Sequence, residues 1–217
     1  MRNKGSLLKE LPFLVVVALV ASLLIKSFLV QFFYIPSGSM ENTLQVRDRV
    51  AVNRVPFIGN DINRGDVIVF RDPAGWLPEA SSDSGNRITS AIHEGLVIVG
   101  VVPNPAKQYL VKRVIGVAGD KVVAKDQVLT INGKPTSEPY IFSGNTPSDT
   151  DFNITVPEGK VWVMGDHRGA SGDSRFHQDD VNNGMVPVER ITGRVFAKIW
   201  PISRIGFVSS QDPLSSK

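Results

Sequence analysis

The chain has 217 residues, 42% hydrophobic and 21% charged, with a formal net charge of +3. That is room for one apolar anchor and one domain with its own core. Cysteine is absent, which removes disulfide frameworks, thiol nucleophiles and zinc–thiolate sites together. The small positive charge is spread along the chain with no basic stripe among aromatics, so nothing marks a nucleic-acid surface.

Residues 11–25 read LPFLVVVALVASLLI, with Ser22 the one polar side chain. After Lys26 the apolar character resumes and runs through Phe33. As helix, residues 11–33 would reach roughly 34 Å, against about 30 Å of bilayer hydrocarbon. Lys26 either snorkels to the outer interface or marks an apolar core that stops near Ile25, with an interfacial aromatic segment after it. The shape also fits a cleaved secretory signal. However, bulky Phe32, Phe33 and Tyr34 follow instead of a small-x-small cleavage site, which favours a retained anchor. Arg2, Lys4 and Lys9 then keep residues 1–10 cytoplasmic. With no second long apolar run, a single span puts the rest of the chain on the extracytoplasmic side.

From Tyr34 onward the pattern is short and strand-like. Arg49–Val55, Asp66–Phe70, Gln108–Val117, Lys121–Ala124, Gln127–Ile131, Lys160–Met164 and Arg194–Ile199 are rich in Val and Ile and bounded by Gly, Pro, Asn and Asp. Asn132-Gly133 is a strong hairpin-turn signal. The expected class is therefore mainly β, a body of coiled antiparallel sheet over residues 34–208. Residues 74–106 and 135–155 carry the composition of surface excursions, and 209–217 that of a flexible tail.

Three places could carry chemistry. Ile35-Pro36-Ser37-Gly38-Ser39-Met40 follows the anchor directly. Pro and Gly make a tight turn able to present a hydroxyl and a backbone N–H to one point, which acyl transfer needs. A membrane-exit linker has the same composition. Lys112 is the second place. Alternation puts Leu110, Lys112 and Val114 on one strand face, and burial there disfavours the ammonium. A free lysine, at about 10.4, is neutral about once in a thousand near pH 7.4; lowering that by about 3 takes about 4 kcal/mol. A strand lysine that merely snorkels to solvent is the plainer alternative. The third is Gly165–Arg175 (GDHRGASGDSR), either a polar turn or a support that orients catalytic groups. Its acidic residues lack calcium-loop spacing. A Ser-His-Asp arrangement stays open through His93, His167 or His177, with nothing in the sequence to select one of them.

An anchor followed in order by PSGSMENTL (36–44), RGDVIVF (64–70), KRVIGVAGD (112–120) and GDHRGASGDSR (165–175) resembles the bacterial type I signal peptidases, and within them the actinobacterial branch. The resemblance covers about residues 10 to 200. It implies that Ser39 is the nucleophile and Lys112 the general base, with Ser37 joining the Ser39 N–H in the oxyanion hole. It implies that Ser171 bonds and orients the lysine, and that Asp173, Arg175 and Arg113 form a supporting ion-pair network. Phe33, Ile35, Leu44, Leu110 and Val111 fall where the family builds shallow substrate pockets, and Asp66 and Asp120 at structural positions. His167, Gly169 and Ala170 depart from the usual pattern, which touches local loop contacts more than the dyad.

The expected function is removal of signal peptides from exported preproteins that carry small-x-small cleavage sites. No metal or other cofactor is called for. The expected surroundings are membrane lipid and the translocation machinery, with no nucleic acid. The rivals are a Ser–Lys self-cleaving regulator and a non-catalytic anchored binding domain or inactive paralogue.

Overall fold

The computed structural model describes residues 12–17, 29–54, 62–78 and 108–215, and their regular structure is almost entirely β. Residues 12–17 are helical and exposed. Among the described residues no helix is long and apolar enough to cross a membrane. Most of the expected span, with Lys26, lies outside them.

The end of that span is corrected. Val30–Tyr34 forms strand β1, antiparallel to β2 (Arg49–Asn53), in register from Val30 opposite Asn53 to Tyr34 opposite Arg49. Gln31 and Phe33 are buried while Phe32 and Tyr34 are exposed. That is a period of two, which the aromatic content disguised as a continued apolar run.

All seven expected strands form. The larger sheet runs β1-β2-β11-β3-β4-β9-β10, with β12 on β11. Here β3 is Val67–Arg71, β4 Tyr109–Gly116, β9 Lys160–Met164, β10 Val186–Pro187, β11 Ile191–Trp200 and β12 Gly206–Phe207. The smaller sheet runs β7-β6-β5-β8, built from β5 (Lys121–Lys125), β6 (Val128–Ile131), β7 (Lys134–Pro135) and β8 (Phe152–Thr155). Every strand pair is antiparallel. Register shifts along β11 let this one strand turn from β3 to β2 and coil the sheet.

The central strand shows why the sheet holds. In β3, Val67 and Val69 pack with Phe33, Ile35 and Val50, while Ile68 and Phe70 pack with Leu110, Val114 and Trp76. Both faces are covered, so the strand reads as an unbroken apolar run. A third cluster, with Ile115, Val122, Ile131 and Trp162, lies under the smaller sheet.

Two further expectations are corrected. Residues 135–155 are only partly a surface excursion: most are exposed or half-buried loop, but they contain β8 and bring buried Tyr140, Ser148 and Phe152 into the body. Residues 209–215 are not free either. The Ser137 N–H donates to the Pro213 carbonyl at 2.8 Å, the Gln211 N–H approaches Gly65, and Leu214 packs on the third cluster. Each segment is polar in composition yet supplies the few apolar side chains and backbone donors that the body needs.

Asn132 and Gly133 form the turn between β6 and β7, with φ of 53° and 77°. The Asn132 carboxamide also bonds the Lys121 N–H and the Asp120 carboxylate. Gly133→Val forces a branched side chain into the left-handed region and should cost about 1–2 kcal/mol, read as a lower urea midpoint at unchanged slope. An unchanged midpoint would mean that the turn does not hold the hairpin.

Candidate active site

Strand β4 is paired unevenly. On one side its residues Tyr109–Arg113 run against Arg71–Val67 of β3. On the other, β9 joins only from Arg113 onward, opposite Met164. Among the described residues, Tyr109–Lys112 therefore has no strand partner on that second side. A cleft of about 290 Å³ opens there, between this half-strand and the chain leaving β1.

Ser39 sits in the turn after β1. The Glu41 N–H donates to Gly38, and the Leu44 N–H donates to Met40 at 2.7 Å, closing one tight loop. Met40 and Leu44 are fully buried and pull that loop onto the core. Ile35 is tied at both ends of its peptide to Arg47 and Asp48. The hydroxyl that results is 2.7 Å from Lys112 Nζ.

Lys112 is 4% exposed. Burial pushes its amine down from 10.5 to about 8. Asp173 opposes that shift, Arg175 reinforces it and Asp166 opposes it. The amine bonds a hydroxyl, and no salt bridge to it forms among the described residues.

The 165–175 segment closes the site from behind. The Asp173 carboxylate accepts bonds from the Gly165 N–H (2.9 Å), the Ser171 hydroxyl (2.8 Å) and Arg175 Nε (2.9 Å). The His167 N–H donates to the Ser39 carbonyl at 3.1 Å. A Cβ on Gly165 would collide with the Ser171 hydroxyl and the Ser39 carbonyl, so only glycine lets the two segments meet.

This geometry brings together Ser37, Ser39, Lys112 and Ser171, with Phe33, Ile35, Leu110 and Val111 along the cleft. Four expectations change in detail. The Ser171 hydroxyl donates to Asp173, not to the lysine. Arg113 does not join the Asp173–Arg175 pair. It makes a separate one with Asp166 (2.8 and 2.7 Å), bonds the Gly65 carbonyl and Thr43, and lies 4.0 Å over the Tyr140 ring. Alternation along β4 sends Arg113 and Lys112 to opposite faces, so one network could not serve both. Leu44 is in the core rather than on the cleft lining. Finally, Trp76 and Leu77 do line the cleft. They belong to the segment read as an excursion, where an Asp-Pro-x-Gly turn was the available signal.

No described histidine touches the Ser39 hydroxyl. The His167 ring lies 2.9 Å from Glu41 and stacks on Phe142, and the His177 ring stacks on Trp76. His93 lies outside the described residues. Asp66 and Asp120 are structural: Asp66 bonds the Asn63 N–H and Arg194, and Asp120 pairs bidentately with Arg64 at 2.6 Å. Among the described residues no group of three or more acidic, His or Cys side chains could hold a metal ion.

Comparison with known proteins finds a match to the family described as "Signal peptidase, peptidase S26" over residues 8–200. The chain is 37% identical to a probable signal peptidase I of Mycobacterium leprae, covering 96% of this chain and 81% of that one. It is 38% identical to signal peptidase I of Mycobacterium tuberculosis, covering 97% and 78%. It is 30% identical to signal peptidase I of Bacillus licheniformis, covering 94% of each.

The Arg113–Asp166 pair is fully buried. Asp166→Ala should leave the guanidinium without its counter-charge and cost about 3–5 kcal/mol of stability, measured by chemical denaturation. A loss below about 1 kcal/mol would show that Thr43, Gly65 and Tyr140 suffice to hold Arg113.

Proposed function

The chain belongs to the signal peptidase family, peptidase S26, and we propose that it is a membrane-anchored serine endopeptidase that removes signal peptides from exported preproteins with a Ser39–Lys112 dyad. The observation that carries this reading is the buried Lys112 amine, lowered to about 8 and 2.7 Å from the Ser39 hydroxyl.

The cleavage segment of a preprotein binds extended, adding to the edge at Tyr109–Lys112, whose second side has no strand partner among the described residues. Its small side chains enter the recesses lined by Phe33, Ile35, Leu110 and Val111. Neutral Lys112 takes the Ser39 proton as Oγ bonds to the scissile carbonyl carbon. The carbonyl oxygen becomes an oxyanion held by the Ser39 N–H and the Ser37 hydroxyl. The C–N bond breaks, the leaving amine takes the proton from Lys112, and the signal peptide remains as an ester on Ser39. Water then gives a proton to Lys112 as its oxygen attacks the ester carbonyl; the C–Oγ bond breaks, Ser39 Oγ takes that proton back from Lys112, and the signal peptide leaves with a free carboxyl end. Ser171 and Asp173 act behind the dyad by fixing the loop that grips the Ser39 carbonyl.

The location follows from the same residues. The apolar run of residues 11–25 holds the chain in the membrane, with its N-terminus cytoplasmic and the sheet outside, within reach of preproteins leaving the translocation machinery. Tyr34 and Trp200 both lie opposite Arg49 in the sheet, and both are exposed. Ile202, Ile205 and Phe207 are exposed nearby along the chain, Phe207 at 88%. An apolar and aromatic rim of this kind supports a domain lying against lipid.

Purified in detergent with a preprotein whose signal ends in Ala-x-Ala, Ser39→Ala and Lys112→Met should each lower kcat by at least about a thousandfold. Lys112→Arg should be as inactive, because a guanidinium does not give up its proton. Retained cleavage by Lys112→Met would move the base elsewhere.

The pH dependence has a fixed sign. The base must be neutral, so kcat/KM should rise with pH and level off above about 8. A profile already flat at pH 6 would remove Lys112 from the role.

A further inference from the structure

The Asp72–Leu77 turn is built as a rigid wall on the cleft. The Asp72 carboxylate accepts the N–H groups of Ala74, Gly75, Trp76 and Leu77 at 2.7–3.0 Å. The Trp76 indole N–H donates to Asp180 at 2.7 Å. Its ring stacks on His177 with centroids 4.4 Å apart and meets Phe70 edge-on at 5.9 Å. His177 in turn is 2.9 Å from the Asp173 carbonyl, in the loop whose carboxylate holds Ser171 and Gly165. The indole is thus held on one face by His177, edge-on by Phe70 and at its polar tip by Asp180, and is 9% exposed. What remains of its surface faces the cleft that contains Ser39, Lys112 and Leu110.

Trp76 also belongs to the core cluster with Phe70 and Leu110, which anchors this wall to the body. A wall that cannot retreat limits side-chain size, whereas a wall of flexible chains would adapt. Resting on the peptidase reading above, we propose that Trp76 is a specificity-determining residue: its indole, with Leu77 beside it, limits the size of the substrate side chain that turns toward Leu110 and Lys112.

The test uses full-length protein in detergent and peptides with Ala, Val or Leu at each of the last three signal positions. Trp76→Ala should raise the Leu-to-Ala ratio of kcat/KM by about tenfold or more at one position, with Trp76→Phe between it and wild type. The other two positions should keep their ratios within about twofold. Ratios unmoved at every position, or an equal fall on all peptides, would overturn the proposal.

A binding measurement separates this from the dyad. Ser39→Ala retains the cleft without the nucleophile, so an Ala-x-Ala peptide should change its indole fluorescence, a Leu peptide should bind at least about tenfold more weakly, and adding Trp76→Phe should abolish the change. If that signal is present while wild type cuts nothing, the dyad reading fails and the wall stands. If wild type cuts normally but the ratios do not move, the wall fails and the dyad stands. If neither cleavage nor the signal is seen, both fall.

Discussion

Lys112 is a buried amine held against a hydroxyl instead of a carboxylate, and most of the surrounding structure keeps it that way. A carboxylate in direct contact would favour the ammonium and return the amine toward its ordinary range. Two carboxylates do act on it from nearby, Asp173 and Asp166. Each is already committed to an arginine, Asp173 to Arg175 and Asp166 to Arg113, in pairs that are fully buried. The arginines thus do two things. They make buried carboxylates tolerable, and they take up negative charge that would otherwise fix the proton on Lys112.

One strand distributes these roles. Among the described residues, the first half of β4 is paired on one side only, which leaves an edge there. Its second half is clamped between β3 and β9 and carries Arg113 into the body. Adjacent positions 112 and 113 face opposite ways because side chains alternate along a strand. The Lys112 amine and the Arg113 guanidinium are therefore neighbours in sequence yet belong to different surroundings. Ser39 is positioned from outside the strand, by the glycine contact at Gly165 and the His167 N–H to the Ser39 carbonyl. A loop so tightly held gives up little freedom when substrate arrives.

The parts visible in the sequence were those with a local signature. Strands rich in Val and Ile, the Asn132-Gly133 turn and the alternation that puts Lys112 on an apolar face all follow from neighbours in the chain. The family resemblance then brought Ser39 and Lys112, 73 positions apart, to one point. What escaped was decided by distant contacts or by an ambiguous period. Gln31–Tyr34 is apolar enough to extend a helix, but β2 offered a strand partner. Asp166 was passed over because its partner, Arg113, lies 53 positions away. Trp76 sits in a polar, Pro- and Gly-containing stretch, and only the Asp180 and His177 contacts turn it toward the cleft. Residues 135–155 read as solvated because their buried members, Tyr140, Ser148 and Phe152, are few.

A buried lysine amine also weighs on the fold, and with a definite sign. The folded state holds the Lys112 proton with a pKa of about 8, against 10.5 for the free side chain. Below pH 8 both states carry the proton, and the folded state bears the full disadvantage of a buried ammonium, about 3 kcal/mol. Between 8 and 10.5 the folded protein has lost the proton while the unfolded chain still holds it, so stability rises with pH across that window. Above it the disadvantage is gone. The rise in neutral amine and the start of this recovery share one origin, the desolvation of Nζ. Packing that relieved the burden by wetting the amine would raise its pKa again. The domain offsets the burden elsewhere, in its apolar clusters, and leaves the Lys112 amine buried.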